Sequence, residues 1–246
     1  MASDKIYVSG NQNLFKKYQD FLAEMGSSLA VTLQNEHGTT KNRFSFTANI
    51  PNSYKSPEMV LFSDSSLRSG YVLNKATDRV CTIFTSEKEQ LVSLYGTKAT
   101  FQLNTTQTGD IQEQMYVPKQ MDARISIDNN VAGVSKQTGL SVNWTTDNDP
   151  LNDKGILIEL FYDAYTNKSV STNPTALPND NVIQYVVVPD NGNYTLTSSD
   201  LVNLPSNTNI TIKIHRGNFR TVNIGQKENV SLLAYSQVYN AFTLVD

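Results

Sequence analysis

The sequence predicts an all-β protein: two tandem antiparallel β-sandwiches with one helix near the N-terminus. Three observations predict it. From residue 29 onward apolar residues recur with a period of two, as in Phe44, Phe46, Ala48 and Ile50, which is the strand period and not the helical one. The alternating runs are short and separated by turn-rich stretches such as Ser63-Asp64-Ser65-Ser66, as in sandwiches and barrels. The length of 246 residues suits one large domain or two small ones.

The helix comes first. Leu14, Phe15, Tyr18, Phe21, Leu22 and Met25 recur at helical spacing over 11–28, and Gly26 is a stop signal. Such a stripe packs on a core or caps an open sandwich end. Leu29, Val31 and Leu33 then begin the strand pattern. Further strands are expected at 58–63, 70–74, 79–85, 90–95, 98–104 and 122–128. Residues 104–114 are polar, as in a long hairpin loop or a linker. Val117-Pro118-Lys119-Gln120 is the expected boundary, giving domains 1–120 and 121–246.

In the second half Leu140, Val142 and Trp144 point to one face, so Trp144 is a core residue. Strands follow at 155–163, 182–188 and 194–197. Asn191-Gly192 between the last two is a hairpin signal, because both residues tolerate positive φ. Leu201, Leu204 and Pro205 form a turn or short helical bridge. Ile210, Ile212 and Ile214 alternate with Thr211, Lys213 and His215, and 219–224, 229–236 and 240–245 complete the strands.

This run, from Trp144 through Ile156–Tyr162 and the Leu-x-x-Leu-Pro bridge to Arg216, resembles the immunoglobulin or fibronectin-III-like modules of bacterial surface lipoproteins. The resemblance covers residues 120–246. It implies an immunoglobulin-like C-terminal sandwich and allows a lipid anchor in the native precursor. The paired cysteines of antibody domains are absent, since Cys81 is the only cysteine.

Composition limits the function. Charged residues are 17%, below the ~25% of ordinary soluble proteins, and Asn, Ser and Thr fill the gap. The formal net charge is −3, which disfavours a strong electrostatic hold on nucleic acid or anionic membrane. No apolar run approaches the ~18 residues of a transmembrane helix. Few Lys and Glu with many Asn, Thr and Tyr fit an extracytoplasmic protein, secreted or at the cell surface. Met1-Ala2-Ser3-Asp4-Lys5 is followed by no apolar signal-peptide core, and we read it as replacing a removed leader. The six N-x-[S/T] sequons, at Asn104, Asn143, Asn167, Asn193, Asn209 and Asn229, are expected by chance in so Asn- and Thr-rich a chain.

Catalytic and cofactor motifs are not found. There is no phosphate-binding glycine loop, no zinc spacing and no nucleophile elbow. Cys81 reads as a small buried hydrophobe, His37 as a hairpin-loop residue and His215 as an outward strand residue. Asp147, Asp149, Asp153, Glu159 and Asp163 are the carboxylates a glycosidase pair would draw on. The 147–155 loop is rich in the oxygen ligands calcium prefers, but lacks the EF-hand order and also suits a plain turn. Tyr162 and Tyr165 flank Asp163 and are the candidate ligand-contacting rings; Tyr235 and Tyr239 lie near the C-terminus.

The expectation is a non-enzymatic binding or adhesion module for a glycan or protein, with no cofactor, metal or nucleic acid. The alternatives are a structural subunit of a surface fibre or secretion complex, and a carboxylate-based glycoside hydrolase or its accessory domain.

Overall fold

A computed structural model describes residues 4–25, 30–38, 42–49, 58–63, 71–74, 80–84, 92–105, 109–126, 133–224 and 228–246. The chain is mostly β-sheet with few helices. Its N-terminal half holds β1 (Asp4–Gly10), α1 (Gln12–Met25), β2 (Ala30–His37), β3 (Asn42–Asn49), β4 (Glu58–Ser63), β5 (Tyr71–Asn74), β6 (Val80–Phe84), β7 (Thr97–Thr105) and β8 (Gly109–Val117). Then come β9 (Ala123–Ser126), β10 (Val134–Ser135), β11 (Leu140–Trp144), β12 (Ile156–Tyr162) and α2 (Ala164–Val170). The chain closes with β13 (Asn181–Val188), β14 (Asn193–Leu196), α3 (Ser198–Leu201), β15 (Thr208–Ile224) and β16 (Glu228–Val245).

Among the described residues the strands form three sheets. The largest runs β1-β13-β12-β15-β16-β2-β3-β6, with β10 also on β16; a second is β14-β11-β9; a third is β5-β4-β7-β8. The period-two pattern explains the layering. On β12, Ile156, Ile158, Leu160 and Tyr162 face a core shared with Val142, Trp144 and Leu196 of the three-stranded sheet. Leu157 points the other way and packs under α1 with Tyr18, Phe21, Val187 and Leu233. The helical stripe is therefore a core face, closed by edge-on contacts of Phe21 with Tyr18 and Tyr235. Asn11 Oδ1 accepts from the amides of Asn13 and Leu14 at 3.1 and 3.2 Å, capping the first turn of α1.

The boundary expected near residue 120 does not divide the sheets. β1 pairs in parallel with β13, and β2 in parallel with β16, so the large sheet draws strands from both sides of that point. The reason is the β15–β16 hairpin. Expected as four short strands, it is two long ones in unbroken register from Thr208↔Leu244 to Ile224↔Glu228. Gly217-Asn218, which fell between two expected strands, lies inside β15. A Cβ on Gly217 would stand 2.5 Å from Phe21 Cζ, so this glycine makes room for the helix and no turn.

Other expectations change for local reasons. Of the expected 90–95 strand, 90 and 91 lie outside the described residues and 93–96 is a turn, where Tyr95 N donates to Val92 O at 3.2 Å. Much of the polar 104–114 stretch is strand, since β7 and β8 form a hairpin. Gly192 does take a positive φ of 88°, but Asn191-Gly192 turns no hairpin. β13 pairs with β12 and β1, whereas β14 pairs with β11, so the chain changes sheets there. The Leu-x-x-Leu-Pro bridge starts on the last residue of α3, which opens with a capping box between Thr197 and Asp200, and continues as a turn.

Candidate functional site

One face of β15 reads Ile210, Ile212, Ile214, Arg216, Asn218, Arg220, Val222. The isoleucines belong to the core beneath the three-stranded sheet. Val222 is buried again, with Val230 and Leu232 on β16. Between the two apolar stretches lies a polar seam. Arg216 is paired with Ser236 and Ser236 with Asn35 across neighbouring strands, and all three side chains are buried.

The seam is polar because the segment joining β8 to β9 crosses it with backbone groups that need partners. Arg216 Nη1 donates to Lys119 O at 3.2 Å, and Met121 N donates to Ser236 Oγ at 2.8 Å. Arg216 also donates to Thr145 O. Its charge is met by Asp190, with Nη2 donating to Oδ1 at 3.0 Å. Nε stands 2.9 Å from Oδ2, a charge contact without hydrogen-bond alignment. Trp144 Nε1 donates to Asp190 Oδ1 at 2.7 Å and Asn152 Nδ2 to Oδ2 at 2.9 Å.

Asp147 is held as closely. It accepts from the Tyr116 hydroxyl at 2.9 Å and from Lys119 N at 2.8 Å. Burial, and then this carboxylate, push the Tyr116 hydroxyl well above the usual phenol range, so it stays a donor.

Outside the clamp, where β8, β15 and the 147–155 loop meet, a groove of about 410 Å³ opens, within the usual size range of ligand sites. Its lining carries three cations, Lys98, Lys154 and Arg220, and no carboxylate. Met115, Tyr116 and Asn218 are buried and form its floor; Lys98, Gln114 and Leu151 are exposed at its rim. Lys154 is fixed: Nζ donates to Asn218 Oδ1 at 3.0 Å and lies 5.5 Å over the Phe219 ring, a cation–π distance. The other contacts of these cations are solvent-facing. Asp153 is 3.4 Å from Lys154, and Glu113 is 3.0 Å from Arg220.

The residues singled out in the sequence scatter. Tyr162 is fully buried in the core and its hydroxyl donates to Pro178 O at 3.2 Å, so its ring cannot stack on a ligand. Tyr165 sits on α2, 84% exposed, away from the groove. Tyr235 is buried under α1, and Tyr239 packs against Gly38. Trp144 is in the core, as expected.

Each named carboxylate has a partner. Asp149 accepts from Leu151 N at 2.9 Å, and Asp153 pairs with Lys17 at 2.7 Å. Glu159 pairs with Lys213 at 2.7 Å, and Asp163 caps α2 through Thr166 N at 3.1 Å. The 147–155 loop thus spends these carboxylates on protein donors, and among the described residues no cluster of three His, Cys, Asp or Glu is placed to hold a metal.

His215 lies opposite the isoleucines, but α1 covers that face, with Tyr18 Oη donating to His215 O at 3.0 Å. His215 is therefore buried, not outward. His37 ends β2. Cys81 is in β6, and its side chain lies outside the described residues.

Sequence reasoning missed Asn218, Arg220 and Lys154. For Asn218 and Arg220 the signal was polar residues that, with Arg216, alternate in a strand otherwise apolar on that face; Lys154, in the 147–155 loop, gave none.

No protein-family model matches the chain, and no curated protein matches its sequence.

Proposed function

We propose that the chain is a non-enzymatic binding or adhesion module that works outside the cytoplasm, secreted or at a cell surface, and engages a glycan or protein. The observation that carries this reading is the groove between β8, β15 and the 147–155 loop. It gathers three cations without a carboxylate on a chain whose formal charge is −3. Charge of one sign gathered in a concave site attracts a ligand of the other sign.

The fold reading that accompanies it is a pair of sandwiches, the C-terminal one immunoglobulin-like and similar to modules of surface lipoproteins. Strand order supports it. Leaving out the two-residue β10, the seven strands from β9 to β16 divide into a sheet of the fifth, second and first and a sheet of the fourth, third, sixth and seventh. The two share a core, as in a Greek-key sandwich. Fold alone does not give function, so the test is of binding. A glycan array and a cell-adhesion assay should each return a ligand that competes for the groove; two blank results would sink the reading.

A second reading, a structural subunit of a surface assembly, has one observation in its favour. β1 is a sheet edge whose Ile6 and Tyr7 are 58% and 36% exposed, a surface on which strands can add. Sedimentation at rising concentration separates the two, since a binding module stays monomeric.

A further inference from the structure

We infer that the groove is a site for an acidic saccharide, a sugar chain bearing carboxylate or sulfate groups. This rests on the binding-module reading and adds the ligand's chemical class. Charge comes first. Lys98 and Arg220 are exposed at the mouth, and Lys154 is 15% exposed at the base. Among the described residues Lys98 makes no ion pair, and the carboxylates near Lys154 and Arg220 stand outside the lining. Anionic groups entering here would meet three cations in the lining, with Asp153 and Glu113 set outside it.

The backbone argues against an extended peptide. β8 is the last strand of its sheet, and β15 has left β12 by residue 216. Two strand edges therefore face the groove, where a peptide would normally add a strand. On the β8 edge the Tyr116 and Gln114 carbonyls are already capped. Asn218 Nδ2 donates to Tyr116 O at 3.1 Å, and Arg220 Nη1 to Gln114 O at 3.2 Å. A peptide strand would have to break these bonds. A saccharide needs no backbone edge. Its anionic groups go to the lysines, its hydroxyls to the exposed Gln114 amide, and its apolar patches to Met115 and Leu151. The Phe219 ring takes no part, since Lys154 covers it and Phe21 lies 6.3 Å from it.

The test is biolayer interferometry of the full chain on four immobilised polymers. These are heparin for sulfate, polygalacturonate for carboxylate, dextran as neutral sugar and poly-L-glutamate as acidic peptide. Binding to heparin or polygalacturonate is expected, weakening as salt rises. It should fall about tenfold or more in Lys98→Gln/Lys154→Gln/Arg220→Gln and stay unchanged in Lys5→Gln/Lys16→Gln/Lys136→Gln, which removes equal charge elsewhere. Should the first triple variant fail to fold by circular dichroism, Lys98→Glu alone, at the exposed rim, must weaken binding.

Equal binding to dextran, or indifference to the groove substitutions, overturns the inference and leaves the binding module standing. Poly-L-glutamate held as tightly through the same residues overturns the saccharide class. Silence toward all four polymers overturns the inference; the module reading falls with it only if array and adhesion assay are also blank.

Discussion

Arg216 and Asp190 meet inside the protein, Nε 2.9 Å from Oδ2, with the arginine side chain wholly buried and the aspartate 8% exposed. The pair joins β15 to the crossover between β13 and β14, and through Lys119 O to the segment that links the two halves of the chain. Removing one member strands the other as an unpaired buried charge, the costly way to break such a pair. Arg216→Met is expected to lower stability by about 3–5 kcal/mol, read as a fall in the urea midpoint. Because Trp144 donates to the same carboxylate, its fluorescence should shift as well. Adding Asp190→Asn should restore part of the loss; no recovery would mean that the charge is not the cause.

His215 gives the protein an acid-sensitive term. Burial, outweighing the attraction of Glu159 3.8 Å away, pulls its pKa from 6.5 down to about 4. The unfolded chain therefore binds a proton that the folded chain refuses between these values. Stability from this group is complete above pH 6.5, falls as pH drops toward 4, and is flat below. The span corresponds to about 3 kcal/mol. Both ring nitrogens lack a hydrogen-bond partner, so His215→Leu is expected to keep the fold and flatten the pH dependence over that window. Denaturant titrations at pH 4 and 7 measure it, and an unchanged slope in the variant would refute the assignment.

Gly217 tests the packing of α1. Its missing Cβ leaves space for Phe21 and for the Cβ of Tyr235, which would stand 2.5 and 3.0 Å away. Gly217→Ala should force the Phe21 ring out of place at a cost of about 1–3 kcal/mol, with a loss of near-ultraviolet dichroism from the aromatic cluster. Retained stability would show that the helix can shift freely over the sheet.

Asp200 holds β1 to α3. It accepts from Ser9 Oγ at 2.6 Å, Tyr194 Oη at 3.1 Å, and the Thr197 amide and hydroxyl at 2.9 Å each. Burial and then the neighbouring carboxylate push the Tyr194 phenol up to about 12, so it donates throughout the physiological range. Asp200→Ala should cost about 1–3 kcal/mol for the stranded donors. Amide exchange over residues 4–10 should quicken more than exchange in β12. Uniform exchange changes would place the effect elsewhere.

The residues explain what could be read in advance. Ile210, Ile212 and Ile214 reported their strand and its inner face, because alternation depends only on neighbours along the chain. Leu14, Tyr18 and Phe21 reported a buried helical stripe for the same reason. Asn191-Gly192 looked like a hairpin turn and Gly217-Asn218 fell between two expected strands, since local preference is all that a short segment carries. Which of them turns depends on Phe21 and on the strand that β14 joins, and both lie far away in sequence. β1 was missed because its side chains are largely exposed and no inner face shows. The groove was hidden more deeply: Lys98, Lys154 and Arg220 come from three distant segments, and only the packing of β8 against β15 brings them together.

The unbroken β15–β16 hairpin spans roughly 55 Å at about 3.3 Å per residue, and it enters the apolar interior on either side of the polar seam. A beam shared in this way ties the two interiors together. Heating should then melt the molecule in one calorimetric transition despite its length, and a pull on one end would load both interiors together.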